Sequence, residues 1–303
     1  MRLLRPALLL CLALPALAQE RFDLTPRWTA GERCEGEAKL LVTLKIRLLL
    51  AAHRLDRTSE QAQAVLRRWQ DEVAQVDSRA RPIEVRRRYS EDWEGLREPG
   101  DTELRRSAAA LHQRRIVLDL DEAGRRRVKP ASDPPIEAAA LEDERFGERY
   151  EAVLPPEPVA IGDSWTIEGA PFLEALGKGI GSEATGQIVC TLRQVEEEAL
   201  DEETPAERYA LIDLKVTTRG VMRDPGEGPP PPGKHDDAPR METELAGTLR
   251  FSLAKKKVVT VELTGTARLR QTRKEKDAVL ELDGKGPMEL KKRFWFPERP
   301  KKR

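Results

Sequence analysis

The Gly-Asp-Ser triplet at residues 162–164 comes closer to a catalytic motif than any other stretch of the chain. A serine nucleophile needs a base that takes its hydroxyl proton and an acid that orients that base. The three histidines are His53, His112 and His235, and His235 lies in a proline-rich stretch where little could hold it in catalytic geometry. The sequence therefore predicts no catalytic role for Ser164.

The same stretch has the composition of a turn that leads into a strand. Prolines at residues 155, 156 and 158 favour an extended approach. Gly162 and Asp163 form a turn dipeptide, because glycine tolerates positive φ and aspartate bonds its own backbone. Trp165 then begins an alternating strand as a large apolar anchor. We predict structural roles for Gly162, Asp163 and Trp165.

No other cluster predicts a metal or a cofactor. The His-Asp-Asp run at residues 235–237 lies in a proline-rich stretch, and the acidic run at 196–203 lacks the Asp/Asn and Gly spacing of a calcium loop. The glycine-rich stretch at 177–186 lacks the Gly-Lys-Ser/Thr ending of a phosphate-binding loop. We expect no catalytic residue, no metal and no cofactor.

The first 18 residues have the pattern of a secretory signal peptide. A basic start is followed by an apolar run, and Ala16 and Ala18 hold the small-residue positions of a cleavage site. Acylation of Cys11 is the alternative, but no small residue precedes that cysteine. Residues 40–52 are the most apolar later stretch, and two cations interrupt them, so we expect no transmembrane span. A secreted or periplasmic protein that begins at Gln19 is the prediction.

Charge and cysteine content narrow the function classes. The chain is formally neutral, and removal of residues 1–18 takes away two arginines and no acid, which leaves a net charge of −2. Because nucleic-acid-binding domains are usually strongly basic, no nucleic-acid partner is expected. Cys34 and Cys190 remain after cleavage. An oxidising compartment would allow a disulfide between them, and two separate buried thiols are the alternative.

Period-two alternation dominates the chain and predicts a mainly β fold. Residues 83–93, 208–220 and 243–271 alternate apolar with polar side chains, as half-buried antiparallel strands do. Hairpins are predicted to turn at residues 121–124 and 254–257. We expect large curved antiparallel sheets with one or two short helices.

Two helices and two irregular segments complete the sequence-based prediction. Helical spacing at residues 60–68 predicts a helix that continues as a strand to residue 76, and residues 136–146 predict a second, short helix. The proline-rich residues 223–240 predict a disordered excursion, and the tail at 298–303 is expected to fray.

The chain divides into an N-terminal β-rich half at residues 19–150 and a C-terminal β-rich half at 151–303. Two subdomains or one large sheet both satisfy the pattern. The segment "LPPEPVAIGDSW" at residues 154–165 resembles Leu-Pro-x-x-Pro-Val-x-x-Gly-Asp-Ser/Thr-Trp, a segment of secreted and lipoprotein-like bacterial proteins in which it separates two β-rich halves. That resemblance implies a β architecture and an envelope location, and it implies no activity.

These observations favour a non-enzymatic, β-rich envelope protein that binds a hydrophobic, lipid-like ligand or an envelope protein. This hypothesis is based on the lack of a recognisable catalytic motif and on a fold class that forms concave apolar surfaces. The lipoprotein carriers, whose curved sheets hold acyl chains, are a fold-level analogy. The alternative is an extracytoplasmic hydrolase with a dispersed carboxylate site, and a structural module without a ligand is a third hypothesis.

Overall fold

The structure is a computed structural model. It describes residues 19–50, 55–120, 126–131, 135–137, 140–141, 151–169, 185–199, 206–221, 239–275 and 278–297. Within these ranges nearly all regular structure is β-strand. The predicted signal peptide and most of the proline-rich segment lie outside the described residues.

The strands are long, and several exceed fifteen residues. Their bounds are β1 Arg21–Phe22, β2 Arg33–Leu50, β3 Leu55–Val76, β4 Pro82–Arg97, β5 Arg105–Ala108, β6 Arg115–Leu120, β7 Arg126–Pro130, β8 Val159–Ala160, β9 Ser164–Glu168, β10 Thr185–Glu198, β11 Glu207–Val221, β12 Arg240–Ser252, β13 Lys257–Glu275 and β14 Ala278–Trp295. One 3-10 turn, Glu151–Val153, precedes β8.

Twelve of these strands form one antiparallel sheet in the order β7-β6-β4-β3-β2-β14-β13-β12-β11-β10-β9, with β5 on the edge of β4. The N-terminal strands β2 to β7 make one half and the C-terminal strands β9 to β14 make the other. The pairing of β2 with β14 joins the two halves into a continuous sheet. The prediction of a mainly β fold with a large curved antiparallel sheet is confirmed.

The inner face of the sheet is mostly apolar because alternate side chains of each strand point to the same side. In β2 every even-numbered residue from Cys34 to Leu50 is apolar or glycine, whereas cations and acids occupy most odd positions. Paired residues of neighbouring strands lie on the same face, so the register carries this inner face from β2 across to β9.

The helix predicted at residues 60–68 is wrong, because β3 is a continuous strand from Leu55 to Val76. Val65, Trp69 and Val73 share its inner face, and the cross-strand pairs with β2 and β4 fix that register. Tertiary pairing has overridden a helix-compatible spacing. For the helix predicted at 136–146, Ala140 and Leu141 are helical, and most of the segment lies outside the described residues.

Both predicted hairpins are present. β6 pairs with β7, although the turn between them is not among the described residues. β12 pairs with β13 through a turn at residues 253–256. The alternation of apolar and polar residues therefore located these strands correctly.

An N-terminal strap, residues 19–31, shows that the sheet curls toward its inner face. The amide of Arg27 donates to the carbonyl of Lys256 (3.3 Å), and the next amide, of Trp28, donates to the carbonyl of Ala80 (2.8 Å). These carbonyls belong to the β12–β13 and β3–β4 turns, which would lie about 19 Å apart in a flat sheet. Two adjacent backbone amides can hydrogen-bond only to carbonyls that lie within roughly 10 Å of each other. The sheet must therefore bend to bring the two turns this close.

The strap and the curled sheet enclose one hydrophobic core at the end of the sheet where β2 begins, which we call the core end. Phe22, Leu24 and Trp28 of the strap are buried in it. Trp28 also donates through Nε1 to a carboxylate oxygen of Glu151 (2.9 Å) and lies 4.0 Å from the ammonium of Lys257. The core end is thus closed by residues from both halves of the chain.

Gly36 lets the indole ring of Trp69 lie flat on the inner face of β2. A Cβ built on Gly36 would stand 2.3 Å from Trp69 Cε2, which is far inside van der Waals contact. Trp69 is itself packed at the edge of Phe294, with ring centroids 6.2 Å apart. The indole therefore has no room to retreat, and glycine is required here for close approach.

We expect Gly36→Ala to destabilise the protein by about 2–3 kcal/mol, because overpacking a closed core costs this much. Gly95→Ala is the matched control: its Cβ would meet Leu104 at 3.6 Å, an ordinary contact, and Gly95 also lies in a strand. Guanidinium unfolding monitored by tryptophan fluorescence measures both variants. Equal stabilities of the two variants would contradict the proposed packing.

Candidate ligand-binding face

Beyond the core end, the inner face of the sheet continues as an apolar surface that we call the distal apolar face. Its side chains point to the inner side of the sheet and lie toward the end of the sheet where β2 ends. They are Leu44, Ile46, Leu48 and Leu50 of β2, Leu55 of β3, Leu280 and Leu282 of β14, Leu269 of β13 and Met241 of β12.

The strand register brings these residues together from distant parts of the chain. Leu50 lies opposite Leu55 on one side and opposite Leu280 on the other. One row inward, Leu48 lies opposite Leu282. Leucines from β2, β3 and β14 therefore form a continuous surface, although β2 and β14 lie more than 200 residues apart in sequence.

The distal apolar face differs from the core end in its exposure to solvent. Ile188, Leu249 and Val261 of the core are 0% exposed, whereas Leu44, Leu48 and the other leucines of the distal face are only half-buried. None of the distal leucines belongs to the hydrophobic core cluster. A contiguous apolar surface of this kind on a folded chain indicates an interaction site.

The face has the dimensions of an extended hydrocarbon chain. From Leu44 to Leu50 the strand advances about 20 Å at ~3.4 Å per residue. In the outermost row, apolar side chains lie on the three neighbouring strands β3, β2 and β14, which gives a width of about 10 Å. The length exceeds the roughly 15 Å that one leaflet of acyl chains occupies in a bilayer.

Two arginines lie on the same face within the two outermost rows. Arg57 of β3 lies opposite Leu48, and Arg273 of β13 lies opposite Leu280. Both side chains are exposed. Ser59 and Gln61 of β3 and Gln271 of β13 share the face, so an apolar strip on β2 and β14 is flanked by polar and cationic side chains. This arrangement suits an amphipathic molecule with an anionic end.

The Gly-Asp-Ser segment forms a turn at the opposite, core end of the sheet. Gly162 adopts φ of 94°, and a side-chain oxygen of Asp163 accepts from the amide of Ala160 (2.9 Å). The indole Nε1 of Trp165 donates to the carbonyl of Val153 (2.7 Å). Ser164 begins β9, so the turn residues hold the start of this strand against the core.

The Ser164 hydroxyl is placed on an exposed surface and hydrogen-bonds to the Thr191 hydroxyl (2.7 Å). His112, the one histidine among the described residues, accepts from the amide of Asp92 through Nδ1 (3.2 Å), and its ring packs at a tilt against Trp93 with ring centroids 4.4 Å apart. Ser164 and His112 thus engage separate partners, on the C-terminal and N-terminal halves of the sheet. His53 and His235 lie outside the described residues.

Two carboxylates are buried on the inner face, and each pairs with an arginine. Asp71 bonds to Arg87 through two contacts of 2.8 and 3.1 Å, and Asp92 bonds to Arg67 at 3.0 Å. The guanidinium of Arg87 also lies 5.1 Å from the ring of Trp69. These arginine–carboxylate pairs join β3 to β4 within the core, and they are not a pair of facing carboxylates.

We expect Asp71→Asn to destabilise the protein by about 3–5 kcal/mol, because it removes the negative charge paired with the buried Arg87 guanidinium. Asp56→Asn is the control, since Asp56 pairs with Arg47 in a similar two-contact geometry but on the exposed face. It should change stability little. Urea unfolding at pH 7 compares the two; a control as unstable as Asp71→Asn would refute this assignment.

Cys34 and Cys190 are both buried thiols of the core. The structure therefore shows two separate thiols and not the disulfide that the sequence also allowed. They lie on β2 and β10, with four strands between them in the sheet. Burial raises the pKa of the Cys190 thiol to about 12. A protonated, buried thiol is a poor nucleophile.

For the protein that begins at Gln19, we expect a thiol-reactive chromophore at pH 8 to label no cysteine in the native state and two per chain in guanidinium. Burial and the raised pKa of Cys190 keep the native thiols unreactive. If unfolded protein labelled only after reduction, Cys34 and Cys190 would be joined by a disulfide and the assignment would be wrong.

Within the described ranges, no group of three or more His, Cys, Asp or Glu side chains is arranged to hold a metal ion. The same residues include no helix long and apolar enough to cross a membrane. No protein-family model matches the chain, and no curated protein matches it.

Proposed function

We propose that the protein is a non-enzymatic, extracytoplasmic binding protein whose distal apolar face holds a molecule with an extended apolar chain. The observation that carries this proposal is the half-buried row of leucines shared by β2, β3 and β14. Covering such a surface contributes roughly 25 cal/mol for each Å² removed from water.

The two arginines beside the distal apolar face favour an amphipathic molecule as the ligand. Arg273 lies in the outermost row, opposite Leu280, and Arg57 lies one row further in, opposite Leu48. An anionic group of a bound acyl-type ligand would meet them there. The inner end of the rows runs into the closed core. A chain would therefore enter with its apolar end directed toward the core.

An envelope location for this activity is supported by the signal-peptide pattern of residues 1–18. The resemblance of residues 154–165 to the segment of secreted and lipoprotein-like bacterial proteins points the same way. Both are sequence arguments, and they fit a ligand that is part of, or moves between, membranes.

The hydrolase hypothesis receives less support from the same geometry. Acid–base pairs of carboxylates in glycosidases face each other across a substrate. The buried Asp71 and Asp92 instead each contact an arginine inside the packed core. We therefore retain binding, and not catalysis, as the proposed activity.

Leu48→Asn tests the proposal, because it places an amide at the centre of the distal apolar face. We expect affinity for the fluorescent acyl probe cis-parinaric acid to fall at least about tenfold, the effect of roughly 1.4 kcal/mol. Leu49→Asn is the matched control: it is the next residue of the same strand and points to the opposite face. Fluorescence titration measures both variants.

Equal loss of binding in the two variants would show that the probe does not occupy the inner face, and absence of binding by the unmodified protein would overturn the proposed function. Far-ultraviolet circular dichroism confirms that each variant is folded. Native mass spectrometry of the protein purified from its own host should detect a co-purified lipid-like mass, which Leu48→Asn should reduce.

A further inference from the structure

The inner face of β3 carries three uncharged polar side chains beside the distal apolar face, which we call the polar strip. Its members occupy alternate positions of the strand and are Ser59, Gln61 and Gln63. In the neighbouring strand β2 they lie opposite Ile46, Leu44 and Val42. The strand advances about 14 Å along the strip at ~3.4 Å per residue, so one bound group can contact more than one of these side chains.

The polarity of β3 is inverted along the polar strip. Ala62 is only 4% exposed although it points to the outer face, and Ala64 and Leu66 of that face are half-buried. Trp93 of β4 lies opposite Leu66 on the same side. The apolar residues of this stretch are therefore shielded on the outer side, and its polar residues face inward. Because β2 has the reverse polarity, an apolar and a polar surface lie side by side on the inner face.

The polar strip retains its hydrogen-bonding capacity in the folded protein. Its three side chains form no hydrogen bond with any described residue, although Ser59 and Gln61 are half-buried. On the outer face of the same strand, by contrast, Gln70 donates to a carboxylate oxygen of Glu35 (3.0 Å). A glutamine amide and a serine hydroxyl can each both donate and accept. Since a polar group that is shielded from water gains stability by finding a partner, the strip is suited to a hydrogen-bonding ligand.

The charged side chains around the polar strip balance each other. Arg57 continues the strip outward on β3, and Glu94 of β4 lies beyond its inner end, and both are exposed. Arg105 of β5 shares this face opposite Leu96, and it is paired with Asp101 at 3.1 Å. The strip itself is uncharged. It therefore favours a ligand group with neutral hydrogen-bonding atoms, such as hydroxyls.

We propose that the polar strip binds a sugar headgroup, so that the ligand of the protein is a glycolipid. This inference rests on the proposed function, because the chain of the same molecule would cover the leucines of β2 and β14. The hydroxyls of a sugar match side chains that both donate and accept. Arg57, at the outer end of the strip, would bind an acidic group on that headgroup. A plain fatty acid would leave the strip unpaired.

The test measures dodecyl maltoside and dodecanoate, which share a chain length, by displacement of cis-parinaric acid below their critical micelle concentrations. Gln61→Leu with Gln63→Leu should weaken dodecyl maltoside binding about 25-fold, since one neutral hydrogen bond contributes about fivefold. The same variant should bind dodecanoate as well or more tightly, because the leucines widen the apolar surface. Gln70→Leu is the matched control: it makes the same change on the outer face of the same strand, and should alter neither affinity.

Thermal unfolding separates a ligand role from a structural one. The Gln61/Gln63 double variant should keep or raise the melting temperature, because these amides bond to no described residue, whereas a structural role predicts a loss. If dodecanoate binds but dodecyl maltoside does not, or if the double variant affects both ligands alike, the glycolipid inference is wrong and the proposed function stands. If the unmodified protein binds neither ligand nor cis-parinaric acid, the proposed function fails and the inference fails with it.

Discussion

The whole architecture depends on one constraint: a long sheet with one apolar face must shield that face from water largely by its own curvature. At the core end the constraint is met. The strap at residues 19–31 bonds to two turns that a flat sheet would hold far apart, and it contributes Trp28 to the enclosed core. At the distal end the same apolar rows continue with half-buried leucines. The proposed binding surface is therefore the part of the inner face that the packed core does not reach.

The sequence predicted the strands where inner and outer positions differ in polarity. Even-numbered residues of β2 are apolar throughout, and the β12–β13 hairpin is equally regular. The helix predicted over residues 60–68 of β3 was wrong, although the strand predicted from there to residue 76 is confirmed; the inner face of β3 carries Arg67 and Asp71 beside Trp69. These charges are buried against Asp92 and Arg87 of the next strand. Only the fold supplies those partners, so the local pattern resembled a helix.

The candidate site was predicted as a kind of surface and not as a set of residues. A β-rich chain without catalytic clusters favoured a concave apolar face, and the sequence shows that alternate residues of β2 are apolar. The sequence did not show which strand pairs with β2, because β14 follows it by more than 200 residues and the register between two such distant strands cannot be predicted locally.

The pairing of β2 with β14 also governs when the sheet can be completed. The two strands at its centre come from opposite ends of the described chain, so a nascent polypeptide that lacks β14 holds two half-sheets, each with an unpaired long edge. Contacts of such large sequence separation form slowly. The sheet therefore cannot be completed until the last long strand is available, and until then each half-sheet exposes a long edge that can pair with another chain.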